Sequence, residues 1–162
     1  MTADETIVRV AQAAVRRDHG TLRAVGLGSC VAILLYDSVA RTGAMAHVLL
    51  PDPSAARDRS NPAKFATTAV DCLVSQMLPL GAELPRIHAR LVGGASMFSG
   101  MAAVGSLNMG ARNIAAARSA LQARGIPLRR EVVGAKHGRS IRFTVSDGRV
   151  VVSAAMHDDV VI

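Results

Sequence analysis

One cysteine and one histidine carry most of the chemistry this sequence offers. Cys30 follows directly on the glycine-rich stretch Gly26-Leu27-Gly28-Ser29, and His47 sits in the next apolar run, residues 44–51. A thiolate is a strong nucleophile and an imidazole can take or return its proton. Within reach of each other, the two could attack a carbonyl carbon and split an amide or ester. The residues alone leave a second reading open. Free cysteine is among the most buried residue types, and a lone Cys and His on neighbouring strands do not define a nucleophile. Three features favour chemistry. Gly26 and Gly28 permit a sharp turn with uncovered amides, Cys30 falls where that turn meets a rigid strand, and a histidine lies on the following strand. Cys72 is the contrast, in a helical segment beside an apolar stripe with no glycine near it, and reads as packing.

Two strands must position the pair. The unbroken apolar run VAILLY, residues 31–36, reads as a strand covered on both faces. AMAHVLLP returns beside it after the turn DSVARTG and is stopped by Pro51. If Tyr36 pairs with Ala44, Cys30 lies opposite Leu50 and His47 opposite Ile33. A regular ladder of that register separates thiol and imidazole by roughly 10 Å, at about 3.3 Å per residue, and points them to opposite faces. Contact then requires residues 26–30 to leave the ladder by a bend or bulge.

The rest of the chain supplies layers around these strands. Short strands are expected within residues 5–17 and over TLRAV, residues 21–25. Asn61 as N-cap and Pro62 at the first helical position open a helix running to about Pro79, with Ala66, Ala69, Val70, Leu73, Val74 and Met77 as its buried stripe. A strand follows over RIHARLV and ends at Gly93-Gly94, then a small-residue loop, ASMFSGMAAVGSL. A second helix, about residues 110–124, buries Ile114, Ala117 and Leu121, presents Arg112, Arg118 and Gln122, and is closed by Gly125 and Pro127. LRREVVG and SIRFTVSDGRVVVSAAM read as strands, with a hairpin turn at Asp147-Gly148. Helices and strands do not alternate regularly and no repeat is present. The pattern therefore predicts a mixed sheet with two helices on one face and a second β layer, not a doubly wound sheet.

Composition bounds the rest. At 162 residues, 50% of them hydrophobic, the chain suits one domain, residues 1–162, with a core built from aliphatic side chains because aromatics are only 2%. The net charge of +7 comes almost wholly from arginine, scattered along the chain. With almost no aromatics to stack bases, nucleic-acid binding is not expected. No apolar run reaches the length of a membrane span and the N-terminus lacks a signal-peptide pattern; two unlike cysteines suit a reducing, cytoplasmic compartment. His19, His88, His137 and His157 lack metal-ligand spacing, and neither GLGSC nor GGASMFSG fits a phosphate loop, so neither metal nor cofactor is expected.

LGSCVAILLYD, GAMAHVLLP, NPAKFATTAVDCLV, LVGGASMF, NMGARNIAAARSALQARGIPL and GRSIRF, in this order, resemble the CheD family of chemoreceptor glutamine deamidases of bacterial chemotaxis. The resemblance runs from about residue 8 to residue 152. It implies a layered α/β/β sandwich with a mixed sheet and two main helices, similar to the deamidating domain of cytotoxic necrotizing factor toxins. It also implies conversion of receptor glutamines to glutamate on methyl-accepting chemotaxis receptors, and CheC-type phosphatases as partners. It places the nucleophile on Cys30 and the base on His47; for that chemistry the backbone amides of the Gly28-Ser29-Cys30 turn are the expected oxyanion donors. The family's third catalytic residue, a threonine, falls on Ala24, which has no side chain to orient an imidazole; a backbone carbonyl, Thr42 or Ser96 would have to do so. GAKHGR, residues 134–139, also departs from the family's Gly-Gly-Asn type of turn. A CheD-like binding module without catalysis is the competing reading. A monomer is expected.

Overall fold

The computed structural model describes residues 4–96 and 108–162. Two five-stranded sheets pack face to face and two helices cover the outer side of one of them. The outer sheet has the order β2 (Ala13–Arg17), β5 (Thr42–Val48), β4 (Val31–Asp37), β6 (His88–Gly93), β7 (Leu128–Val133). The second sheet has the order β1 (Glu5–Ile7), β3 (Thr21–Leu27), β8 (Arg139–Thr144), β9 (Arg149–Ser153), β10 (Val160–Val161). Both sheets are mixed: β6 with β7 and β1 with β3 run parallel, the other pairs antiparallel. The helices are α1 (Ala66–Met77) and α2 (Met109–Ala123). This is the layered α/β/β arrangement expected from the sequence. Most of the small-residue loop, from residue 97 to residue 107, lies outside the described residues.

The unbroken apolar run of β4 has the meaning a double-sided strand should have. Val31, Ile33 and Leu35 pack under the helices, while Ala32, Leu34 and Tyr36 pack between the sheets. The stripe of α1 is buried as its spacing dictates. Its start differs from expectation. Asn61 accepts from the Ala63 amide at 3.0 Å and caps only a 3₁₀ turn, Pro62–Lys64. Phe65 is then extended and forms a bridge with Leu50, so the α-helix begins at Ala66. The amides of Leu49 and Leu50 both donate to the Lys64 carbonyl, and that tie to the end of β5 pulls Phe65 out of helical conformation.

The β4–β5 register also differs, and this matters for function. Tyr36 pairs with Gly43 and Asp37 with Thr42, which puts His47 opposite Ala32, not Ile33. A slip of one residue turns every side chain of a strand to the other face. The cause is the turn. The buried Asp37 carboxylate accepts the amides of Val39 at 3.0 Å and Ala40 at 3.1 Å, and so closes a four-residue connection.

Candidate active site

The corrected register places Cys30 and His47 in one layer. Ala32 faces His47 across the ladder, and Cys30 immediately precedes the strand that carries Ala32. The half-buried Cys30 packs against the same inter-sheet cluster that holds Ala32 and Met45. No hydrogen bond joins thiol and imidazole in this structure.

Two crossings between the sheets meet at this point. β3 belongs to one sheet and β4 to the other, so Gly28, Ser29 and Cys30 carry the chain across. β1 and β2 likewise lie in different sheets, and residues 8–12 make a second crossing beside the first. The pairing of β3 with β8 is irregular between Ala24 and Leu27, where Gly26 takes a φ of +68°. The expected bend therefore exists, and it serves the change of sheet. The end of β6 presses against the first crossing. A Cβ at Gly93, whose φ is +112°, would overlap the Cys30 carbonyl oxygen.

The second crossing orients the imidazole. His47 is 3% exposed, and its Nδ1 lies 3.0 Å from the Val8 carbonyl oxygen. An imidazole nitrogen facing a carbonyl must carry the proton, so neutral His47 is the Nδ1–H tautomer, and its Nε2 lone pair meets no donor among the described residues. The backbone of His47 is held by the same segment: its amide donates to Gln12 O at 2.9 Å, and its carbonyl accepts from Ala11 at 2.8 Å. Ala24 is fully buried in the inter-sheet core. Thr42 sits at the far end of β5 and donates to Ala40 and Leu80, and the Ser96 amide donates to Ala135. The Nδ1 atom that such a residue would hold is bonded here to the main-chain carbonyl of Val8. A carbonyl leaves no mark in a residue-type motif, and only the fold reveals it.

The first crossing has all its carbonyls bound. Gly28 O accepts from the Ala95 amide at 2.9 Å, Ser29 O from Asn113 Nδ2 at 3.0 Å, and Cys30 O from the Gly94 amide at 2.8 Å. Among the described residues, the amides of Gly28 and Ser29 meet no acceptor, and that of Cys30 faces its own thiol. Each bound carbonyl turns the amide of the following residue the opposite way in its planar peptide, so the Ser29 and Cys30 amides form a donor pair suited to a developing oxyanion. Asn113 was not expected. It falls four residues before Ala117 and eight before Leu121, on the buried stripe of α2, and a polar residue in that stripe is the signal that marks it.

Electrostatically, burial pushes the Cys30 thiol up, opposed by its own backbone amide. Burial pushes His47 down, opposed by the bond to Val8. Both directions favour a neutral thiol beside a neutral imidazole at rest, not a preformed ion pair. His47 forms part of the wall of an open groove of about 570 Å³ whose other walls are Ile7, Val8, Arg9, Val10 and Val25; Cys30 is not one of them. The other histidines lie elsewhere. His88 stands edge-on to Tyr36 in β6, His19 lies 3.7 Å from Asp4, and His137 stacks on His157. Among the described residues no group of three His, Cys, Asp or Glu side chains converges as a metal site would require, and no helix is long and apolar enough to cross a membrane.

A family model described as CheD chemotactic sensory transduction matches residues 49–154. "Probable chemoreceptor glutamine deamidase CheD" of Moorella thermoacetica is 45% identical over 149 residues, covering 91% of this chain and 89% of that protein. "Chemoreceptor glutamine deamidase CheD" of Thermotoga maritima is 39% identical over 146 residues, covering 90% of this chain and 89% of that protein. Stretches of that length in a chain of 162 necessarily span both Cys30 and His47. Among solved structures, a Neisseria meningitidis protein of the DUF152 family superposes with a TM-score of 0.52 at 12% identity, over 82% of this chain and 64% of that one, a likeness of fold alone. The family-model match and the identity to these relatives show that the chain belongs to the CheD family.

Proposed function

We propose that the protein is a glutamine deamidase acting on chemotaxis receptors, with Cys30 as nucleophile and His47 as the base and acid that serves it. The observation that supports this reading is the β4–β5 register, which sets His47 opposite Ala32, whose cluster Cys30 packs against, while Nδ1 is bonded to Val8 and Nε2 has no partner among the described residues. His47 Nε2 takes the Sγ proton as sulfur adds to the carboxamide carbon of the substrate glutamine. The carbonyl oxygen gains the negative charge and is met by the outward amides of the 28–30 turn; a donor of this kind is typically worth about 2.7–4 kcal/mol. The intermediate collapses, the C–N bond breaks, and ammonia leaves with the proton from His47. Water, giving a proton to the same nitrogen, then attacks the thioester and releases glutamate, and sulfur recovers its proton. Glutamine and water become glutamate and ammonia. A CheC-type phosphatase as partner and action in the cytoplasm belong to the same reading, and the arginine-rich surface suits an acidic receptor.

The test is mass spectrometry of a receptor fragment incubated with the protein. The expected result is a gain of about one dalton per modified glutamine with ammonia released, and no gain with Cys30→Ala. Burial of the Cys30 thiol favours the competing reading, a CheD-like binding module. A fragment that binds with micromolar affinity yet gains no mass would establish that reading in place of the first.

A further inference from the structure

We infer that Asn113 is a positioning residue for this reaction: its buried amide ties the strand entry that carries Cys30 to the strand exit that follows His47. The inference rests on the deamidase reading for its kinetics, and on the structure alone for its geometry.

Asn113 is fully buried in the first half of α2. Its Nδ2 has two hydrogens, and both are used: one toward Ser29 O at 3.0 Å, one toward Leu49 O at 3.1 Å. Ser29 immediately precedes the nucleophile, and Leu49 lies two residues beyond the base. Its Oδ1 is buried and meets no partner among the described residues. An apolar residue would avoid that unpaired acceptor, so the stripe position is kept polar for what Nδ2 does.

The peptide plane makes the consequence specific. Ser29 C=O and Cys30 N–H belong to one planar trans amide and point in opposite directions. By drawing the Ser29 carbonyl toward α2, Asn113 aims the Cys30 amide away from the helix, toward the thiol and the place where an oxyanion would form. The Ala95 amide on Gly28 O does the same for the Ser29 amide through the backbone. Asn113 does so through a side chain, and so can be removed by mutation.

The experiment uses the full chain carrying Cys72→Ser, so that only Cys30 reacts with thiol reagents. Asn113→Ala is expected to lower kcat about 10–100-fold, with KM changed less than threefold. Alkylation of Cys30 by iodoacetamide should slow at each pH, its profile displaced to higher pH as the thiol loses the amide that faces it. Leu121→Ala, on the same helix stripe, serves as the control for lost packing: a lower melting temperature, with kcat and alkylation profile unchanged. A folded Asn113→Ala protein with kcat within twofold and a superimposable alkylation profile overturns the inference. Asn113→Asp decides the matter if the alanine variant does not fold. Its protonated form keeps one donor and its ionised form none, so its alkylation should weaken with rising pH relative to the parent; a constant ratio overturns the inference. Alkylation needs no receptor. If the parent released no ammonia, the deamidase reading would fail while the positioning role was still judged.

Discussion

The two ends of the β4–β5 ladder are built on opposite principles. At the turn end, Asp37 is saturated: it accepts from the amides of Val39, Ala40 and Glu83 and from Arg86 Nε at 3.0 Å, and Thr42 Oγ1 turns back to the Ala40 and Leu80 carbonyls. Burial works against the Asp37 carboxylate, but the Glu83 and Ala40 amides, the Arg86 guanidinium and the Val39 amide outweigh it and hold the group below the ordinary carboxylate range. At the crossing end the carbonyls are all bound, while the Gly28 and Ser29 amides and His47 Nε2 have no partner among the described residues. One end of the ladder is closed to fix register. The other is held just as firmly through its acceptors and left open through its donors and one lone pair. Rigidity and availability are supplied by different atoms of the same peptides.

Breaking the open end should have the largest effect on rate. His47→Gln removes the base and acid while keeping a polar side chain. It is expected to lower kcat for ammonia release about 10²–10⁴-fold, the usual worth of a positioned general acid–base group. The parent's pH profile sharpens the point. Burial lowers the pKa of His47, and only the neutral ring can accept the thiol proton. The acid limb of kcat/KM should therefore lie below the ordinary histidine value of about 6.5. A limb at or above that value would show that a charged partner, not burial, sets the ring.

Breaking the closed end should act first on stability. Asp37→Ala leaves three amides and a guanidinium without their acceptor. Because Arg86 is partly exposed, the cost should sit near the low end for a disrupted buried pair, about 3 kcal/mol by urea unfolding. The same turn sets the register that faces His47 toward Cys30, so the folded remainder should also lose activity. Full kcat in folded Asp37→Ala would show that the register does not depend on this turn.

This coupling also marks what the sequence could and could not convey. The α1 stripe, the double-sided burial of β4, the second helix and the Asp147-Gly148 turn were legible because each is local, set by periodicity or by one residue's backbone preference. Cys30 and His47 were legible as residues. Their mutual geometry was not, because register depends on where Asp37 sends its oxygens, and a choice between two neighbouring pairings cannot be made from apolar spacing when both strands are apolar throughout. Val8 was invisible for a different reason, since it contributes a carbonyl that any residue possesses. Asn113 was visible in principle as a polar interruption of the α2 stripe.

A smaller effect separates two histidines on the strands that flank β4. His47 has a hydrogen bond that favours its protonated form, whereas His88 has none among the described residues, and burial with the nearby Arg129 and Arg90 lowers its pKa to about 4 against a weaker opposing pull from Asp37. The unfolded chain binds a proton near pH 6.5, the folded chain only near 4. Stability is full above about 6.5 and falls as pH drops through that window. His88→Gln should flatten the decline by about 1–2 kcal/mol between pH 6.5 and 4, the low end because the ring is partly exposed. Thermal melts across that window check it, and an unchanged slope would assign the acid sensitivity to His47 or to carboxylates.

The smallest effect on rate is expected at Ala24, where the resemblance implied a threonine. Ala24 is fully buried and pairs with Ile141, and the nitrogen of His47 that a hydroxyl would bind is already bonded to Val8. Ala24→Thr adds two heavy atoms to a closed inter-sheet core, which should cost about 1–3 kcal/mol of stability. Its hydroxyl can gain the imidazole only by displacing a carbonyl at 3.0 Å whose segment also bonds the His47 backbone on both sides. The rate of deamidation should change by less than about threefold, since the orientation gained is one the ring already has. A gain of tenfold or more would mean that the Val8 carbonyl holds His47 loosely, and that the second crossing shapes the groove without setting the base.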